Sequence, residues 1–195
     1  MLTDSQLITK IREKKIQIFP EPDFSIQLGP CSLDLRLGNV FRVFETNRSC
    51  RLSTRGSDGL TREVTVNDGE PFVMQPGDFA LGTTIEEIWL ADDITATLIG
   101  RSSIARLGIA VHATAGLVYP GFCGQLTLEL QNVNKMAVEL YPGDRICALT
   151  FEVLRGQVDR PYRGKYQQQV GPVASRIFED PLIGSLTPTP PDQKG

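Results

Sequence analysis

Two stretches of this chain carry the same plan: Phe72-Val73-Met74-Gln75-Pro76-Gly77-Asp78-Phe79-Ala80-Leu81 and Val138-Glu139-Leu140-Tyr141-Pro142-Gly143-Asp144-Arg145-Ile146-Cys147-Ala148-Leu149. Each reads strand, Pro-Gly-Asp turn, strand. Proline presets φ at the second turn position and glycine supplies a positive φ at the third. The chain is therefore forced to reverse at two defined points, which rules out long helices there. Short apolar runs with turn signals at roughly 8–12-residue spacing continue from 70 to 155 and predict an all-β sandwich or barrel.

The flanks fit that expectation. Leu33, Leu35 and Leu37 alternate with Asp34 and Arg36 within residues 33–44, and Gly38-Asn39 punctuates the run. Residues 3–15 predict a short helix: Thr3 or Asp4 can cap it, Leu7, Ile8 and Ile11 form a stripe, and Lys and Arg gather at its end. Residues 47–70, polar and rich in Gly, Ser and Asp, predict a long loop or an exposed hairpin. Pro181, Pro188, Pro190 and Pro191 mark 180–195 as a tail expected to be poorly ordered, which leaves 1–179 as one domain.

Charge narrows the partner. The formal net charge is −3 and the pI about 5.3, which opposes a nucleic-acid or membrane-surface role, since both want a basic face. Positive charge is local instead, at Arg101, Arg106, Arg155, Arg160, Arg163 and Lys165, and suits a small anionic ligand. No apolar run approaches the ~20 residues that span a bilayer. The start of the chain has neither a basic n-region nor an apolar h-region, and none of the 4 cysteines is in C-x-x-C spacing. No export signal or disulfide framework is expected, and a cytoplasmic location is.

The candidate chemistry starts at Gly100-Arg101-Ser102-Ser103-Ile104-Ala105-Arg106. Two guanidinium groups and two hydroxyls are a compact set of phosphate-oxygen partners. A solvated turn with surface arginines explains the same residues equally well. Glu129 lies on the polar face (Gln125, Thr127, Glu129, Gln131) of a strand whose other face is Leu126, Leu128 and Leu130. Periodicity alone favours an ordinary half-buried strand; a pocket or interface on that face would make Glu129 a general base. His112, the 1 histidine, cannot build a His-rich metal site and reads as a satisfied core or interface residue. Thr114-Ala115-Gly116 is small enough for backbone to approach a flat ligand, or is a plain loop. Tyr162, Lys165, Tyr166 and Gln169 form a polar, aromatic and basic stretch, either a linker or a flap that orders over an anion. No glycine-rich phosphate loop leads into a helix, so P-loop and Rossmann readings fail.

Read in order, the chain resembles the dCTP deaminase family, relatives of the trimeric dUTPases. The resemblance rests on Gly29-Pro30-Cys31-Ser32-Leu33-Asp34-Leu35-Arg36-Leu37-Gly38, on Gly100-Arg101-Ser102-Ser103-Ile104-Ala105-Arg106-Leu107-Gly108, and on His112-Ala113-Thr114-Ala115. Pro120-Gly121-Phe122 with Gly124, Leu126-Thr127-Leu128-Glu129, Lys165-Tyr166-Gln167-Gln168-Gln169 and Ala174-Ser175-Arg176 complete it. It covers roughly residues 2–178. It implies a β-clip fold, a distorted β-barrel of the dUTPase-like type with a short N-terminal helix. It also implies a homotrimer with interfacial active sites, and hydrolytic deamination of dCTP to dUTP and ammonia, with Mg²⁺ on the triphosphate and no metal ligands from the protein. dTTP is the implied candidate inhibitor.

The resemblance also implies roles. Glu129 would activate water at the ring C4 and relay the proton to the leaving amine. Ser102 and Arg106 would orient the phosphates and that carboxylate, with Arg101, Ser103, Ile104 and Ala105 completing the cradle. Thr114 and Ala115 would read the pyrimidine through their backbone, and Thr127 and Leu128 would touch nucleotide. Tyr162, Lys165 and Gln169 would lie on a C-terminal flap over the triphosphate. Independently of the resemblance, the chain lacks the H-x-E and P-C-x-x-C ligand patterns of zinc deaminases, so a zinc-independent reaction is expected.

Two departures separate the alternatives. Tyr119 stands where the family usually places an Asp against the sugar; as a substrate-binding candidate it would donate a hydrogen bond to the 3′-hydroxyl instead, or the sugar would sit differently. Members that also cleave the triphosphate to dUMP carry Ala-Gly-aromatic after the Thr and Gly-Gln-Leu in the later strand. Ala115-Gly116 fits that type; Leu117 and Cys147-Ala148-Leu149 do not. Plain deamination is the expectation. A bifunctional deaminase–diphosphatase and a non-catalytic nucleotide-binding trimer are the alternatives, and a nucleic-acid module is the weakest.

Overall fold

The computed structural model describes residues 1–45, 51–54 and 59–184. Its elements are, in order, α1 (Asp4–Arg12), β1 (Ile16–Phe19), α2 (Phe24–Gln27), β2 (Leu33–Arg36), β3 (Val40–Phe44), β4 (Thr61–Thr65), β5 (Phe72–Met74) and β6 (Phe79–Leu90). They continue with β7 (Ile94–Gly100), α3 (Ser102–Arg106), β8 (Ile109–Ala110), β9 (Leu117–Val118), β10 (Cys123–Asn132), β11 (Val138–Leu140) and β12 (Arg145–Val153). A 3-10 turn (Ile177–Glu179) and α4 (Pro181–Gly184) follow. No helix among the described residues is long and apolar enough to cross a membrane.

The all-β expectation holds, as a distorted arrangement of sheets. One sheet runs β4-β3-β6-β10-β8 with β1 also on β6, a second runs β2-β12-β7-β9, and a two-stranded ribbon joins β11 to β5. None of the three closes on itself. The two Pro-Gly-Asp segments meet in that ribbon, with Val138 opposite Met74 and Leu140 opposite Phe72. Both turns form as their chemistry demands, with Gly77 at φ 84 and Gly143 at φ 91, and with Asp78 N–H and Asp144 N–H donating to Gln75 O and Tyr141 O.

The helix expected over 3–15 stops at Arg12. Thr3 makes a capping box with Gln6, and Lys14 at φ 58 ends the run, because a left-handed residue cannot continue a right-handed helix. The region 47–70 is a hairpin in its described part, since β4 pairs antiparallel with β3 from Val40↔Thr65 to Phe44↔Thr61; residues 46–50 and 55–58 lie outside the described residues. The stretch from 180 opens with the single turn of α4, and 185–195 likewise lie outside them.

Alternation makes the core. Leu33, Leu35, Phe41, Ile88, Leu128, Leu130, Leu149 and Phe151 are all at most 1% exposed, and burying each contributes about 1.5–3 kcal/mol. β6 and β10 form the central pair. Their register slips once: Gln125 faces Glu87 and Thr127 faces Thr83, so two steps along β10 stand against four along β6. Thr84 satisfies the bulge, its hydroxyl accepting from Leu126 N–H and donating to Glu86 O. The bulge turns Glu86 fully inward, where Arg36 (N–H at 2.8 Å, Nε at 2.7 Å) and Gln27 Nε2 (3.0 Å) meet its carboxylate.

Candidate active site

Glu129 sits near the middle of β10, held against Leu81 of β6. Its neighbours Leu128 and Leu130 are fully buried, so the strand cannot rotate and the carboxylate is confined to the opposite face. The segment after β8 wraps onto it. Glu129 N–H donates to Val111 O (3.1 Å), and Glu129 Oε2 accepts from Ala113 N–H at 2.7 Å. One carboxylate oxygen is thus fixed by backbone, and no hydrogen bond to Oε1 occurs among the described residues. Thr114 and Ala115 follow at once, exposed, in the same loop.

α3 is placed by its two ends. β7 delivers Gly100 opposite Cys147. Arg101, the helix N-cap, is clamped with Nε 2.9 Å from Asp34 Oδ2 and Nη1 2.8 Å from Arg145 O. At the far end Asn134 Nδ2 donates to Leu107 O (3.0 Å) and Val133 N–H to Gly108 O (2.8 Å). Asn132, fully buried, anchors that turn. Between the clamps Ser102, Ser103, Ala105 and Arg106 are exposed. Among the described residues the side chains of Ser102, Ser103 and Arg106 form no hydrogen bond or ion pair, so their polar groups face outward uncommitted. Ile104 packs against the core.

A strap formed by residues 162–176 runs along the first half of β10. Gln168 N–H donates to Cys123 O (2.8 Å) and Gln125 N–H to Gln169 O (3.0 Å). Gln169 Nε2 reaches Gln125 O, Gly171 N–H reaches Gln125 Oε1, and Val173 N–H reaches Thr127 Oγ1. Arg42 of β3 secures the far end through Nε to Pro172 O at 3.0 Å. Gly124 permits the approach: it lies at φ 136, and a Cβ there would sit 2.9 Å from both N and O of Gln169. The root of the strap is aromatic, with Tyr162 stacked on Tyr119 and tilted against Phe122. Lys165 Nζ lies 6.0 Å over the Tyr166 ring.

The structure therefore brings Glu129 to the 113–115 loop, Thr127 and Gln169 to the strap, and Tyr119 to Tyr162. No ion pair joins Arg106 to Glu129 within the chain among the described residues. The Leu128 side chain is 0% exposed, so alternation leaves its backbone for the nucleotide contact expected of it. His112 Nδ1 is buried without a hydrogen-bond partner among the described residues, so of the two roles expected of it the core one is not satisfied within one chain. The Ala113 N–H, Asp34, Asn132 and Asn134 did not stand out in the sequence. Asn132 did carry one signal, a polar residue on the face that Leu126, Leu128 and Leu130 make apolar. Among the described residues no three His, Cys, Asp or Glu side chains converge as metal ligands.

The chain resembles known proteins in both sequence and fold. The dCTP deaminase-like family model matches residues 1–154. A dCTP deaminase of Thermomicrobium roseum is 50% identical over 193 residues, covering 95% of this chain and 98% of the relative. A protein of Dictyoglomus turgidum named as a dUMP-forming dCTP deaminase is 44% identical over 186 residues, covering 92% and 96%. The fold matches the crystal structure of a 2′-deoxycytidine 5′-triphosphate deaminase from Agrobacterium tumefaciens with TM-score 0.60 at 24% identity, over 78% of this chain and 48% of that one. The chain thus spans about half the length of that structure's chain. With the motif order, the sheet arrangement and a family match over most of its length in agreement, the chain belongs to the dCTP deaminase-like family.

Proposed function

We propose that this chain hydrolyses the exocyclic C–N bond of dCTP, releasing ammonia and dUTP, with Glu129 as the proton-transfer group. The observation that carries the reading is the Glu129 carboxylate on a rigid central strand, one oxygen pinned by Ala113 N–H at 2.7 Å beside a loop of exposed small residues. The pinned oxygen orients the group; Oε1 takes one proton from water as the water oxygen adds to C4 and passes it to ring N3. Glu129 then takes the remaining proton of the added hydroxyl and gives it to the departing amine, so that the C4–N4 bond breaks, ammonia leaves, and C4=O with N3–H remains. Backbone of Thr114 and Ala115 borders the pyrimidine. Ser102, Ser103 and Arg106 meet phosphate oxygens, and Lys165 on the strap adds charge.

Several features support a homotrimer in which a neighbouring copy completes each site. Arg106 and Glu129 do not meet within one chain. The apolar surfaces of Leu117, Val133 and Met136 are at least half exposed, and His112 Nδ1 lacks a partner among the described residues. Mg²⁺ would arrive with the nucleotide as the metal–triphosphate substrate; among the described residues no three His, Cys, Asp or Glu side chains converge as metal ligands. The missing zinc-ligand patterns support water activation by the carboxylate. dTTP, of the same charge and similar shape, is a candidate inhibitor.

The Glu129→Gln variant tests the reading. It should still bind dCTP, with ammonia release lowered by about 10²–10⁴-fold; undiminished turnover would sink the mechanism. A second reading, dUMP formation, is favoured by Ala115-Gly116 and by the Dictyoglomus relative. Against it, Ala148 is buried in the middle of its sheet, between Asp34 and Ile99. Resolving dUTP from dUMP plus pyrophosphate after incubation with dCTP and Mg²⁺ decides between them.

A further inference from the structure

We infer that Tyr119 is a positioning residue, an aromatic latch that holds the C-terminal strap in its docked state; its effect on the reaction rests on the deaminase reading above. The Tyr119 and Tyr162 rings are parallel, with an interplanar angle of 4° and centroids 5.9 Å apart. Tyr119 is 53% exposed, so the pair forms a surface clasp rather than core.

Tyr162 is the point from which the strap is organised. Its N–H donates to Pro120 O (2.8 Å), its hydroxyl accepts from Tyr166 N–H (3.3 Å), and its ring packs on Phe122. From there Tyr166 Oη accepts from Arg176 N–H, and Arg176 Nη1 donates to Lys165 O at 2.7 Å. Lys165, the cation proposed to face phosphate, is therefore positioned through Tyr166 and Arg176 by the fold that Tyr162 begins. Tyr119 closes the other side of that aromatic root from the loop that follows β9. Its ring, not its hydroxyl, makes the contact, because no hydrogen bond to the hydroxyl occurs among the described residues. The side chain at this position thus trades a polar contact for control of the strap.

The structure also supplies a probe. Trp89 is the 1 tryptophan. It stands opposite Cys123 on β10 and borders a shallow cleft with Gly121, Gln167 and Gln168 of the strap. Its fluorescence reads strap docking without turnover. Trypsin cleavage at Arg163 and Lys165 gives a second reading.

The experiment compares wild type with Tyr119→Ala and Tyr119→Phe. For Tyr119→Ala the Trp89 emission should shift and cleavage at Arg163 and Lys165 should accelerate. KM for dCTP should rise about two- to tenfold, the size of an aromatic pair, with kcat little changed, because the loss is of uniform binding. Tyr119→Phe keeps the ring and should match wild type in every readout. Two results would overturn the latch. One is Tyr119→Ala with unchanged cleavage and emission, whatever its KM. The other is Tyr119→Phe behaving like Tyr119→Ala, which would assign the role to the hydroxyl. An inactive wild-type protein would count against the deaminase reading alone, since the protease and fluorescence readouts still judge the latch.

Discussion

Replacing Asn132 tests how the loop between β10 and β11 holds α3. The side chain is 0% exposed. Its Nδ2 donates to Met74 O and to Met136 O, each at 2.9 Å, and its Oδ1 accepts from Asn134 N–H at 2.8 Å. Asn132→Ala deletes all three bonds. At about 1 kcal/mol net per bond the cost is about 3 kcal/mol. In a chain of this size that corresponds to a fall of about 6–12 °C in Tm. Asn132→Asp should cost at least as much: it keeps the acceptor for Asn134 but loses both donors and sets a carboxylate oxygen against two carbonyls. Urea unfolding followed by circular dichroism is the assay, with the midpoint expected to move and m to stay constant. Because Asn134 holds Leu107 O, the same variants should loosen α3 and raise KM for dCTP. A loss below about 1 kcal/mol for Asn132→Ala, or an Asn132→Asp protein as stable as wild type, would show that these bonds do not set the turn.

Two further outcomes follow from local geometry. Gly124→Ala places a methyl 2.9 Å from the Gln169 backbone at φ 136; the strap should undock at a cost of about 1–3 kcal/mol, seen as faster hydrogen exchange at the Gln125 and Gln168 amides. Burial, then the charges of Glu86 and Asp34, push the Cys147 thiol well above its ordinary 9.0, so at pH 8 a thiol reagent should label exposed Cys31 and leave Cys147 untouched. The sign of the linkage follows. The unfolded chain releases this proton first, so Cys147's contribution is fully present below pH 9 and is lost as pH rises beyond it; stability that climbs through that window would contradict the assignment.

Much of this was legible in the sequence because alternation and turn chemistry are local. Pro-Gly-Asp dictates its own turn, and the Leu126-Leu128-Leu130 stripe dictates which way Glu129 faces. A cap at Thr3 or Asp4 was legible for the same reason; its reciprocal partner Gln6 was not. What escaped depends on groups that composition does not display. Glu129 is pinned by a backbone amide of Ala113, and every residue but proline carries one. The strap docks through backbone and glutamine side chains, with none of the apolar periodicity that announces a strand. The Asp34 partner of Arg101, far earlier in sequence, also escaped: the structure sets it 2.9 Å from Arg101 Nε. For Leu128 the resemblance names a position, while the pleat decides that its backbone rather than its buried side chain is offered.

The slip between β10 and β6 bears on how such a chain can change length. Two steps along β10 stand against four along β6, an even difference, so inward and outward positions keep their parity on both sides of the bulge. Gains or losses of residue pairs in Thr84–Glu86 would leave Glu129 on the face where Ala113 meets it. An odd insertion into β10 between Gln125 and Thr127 would carry Leu128 out of the core and drive Glu129 into it. Lineages of this chain should therefore vary in length at this point only by whole pleats.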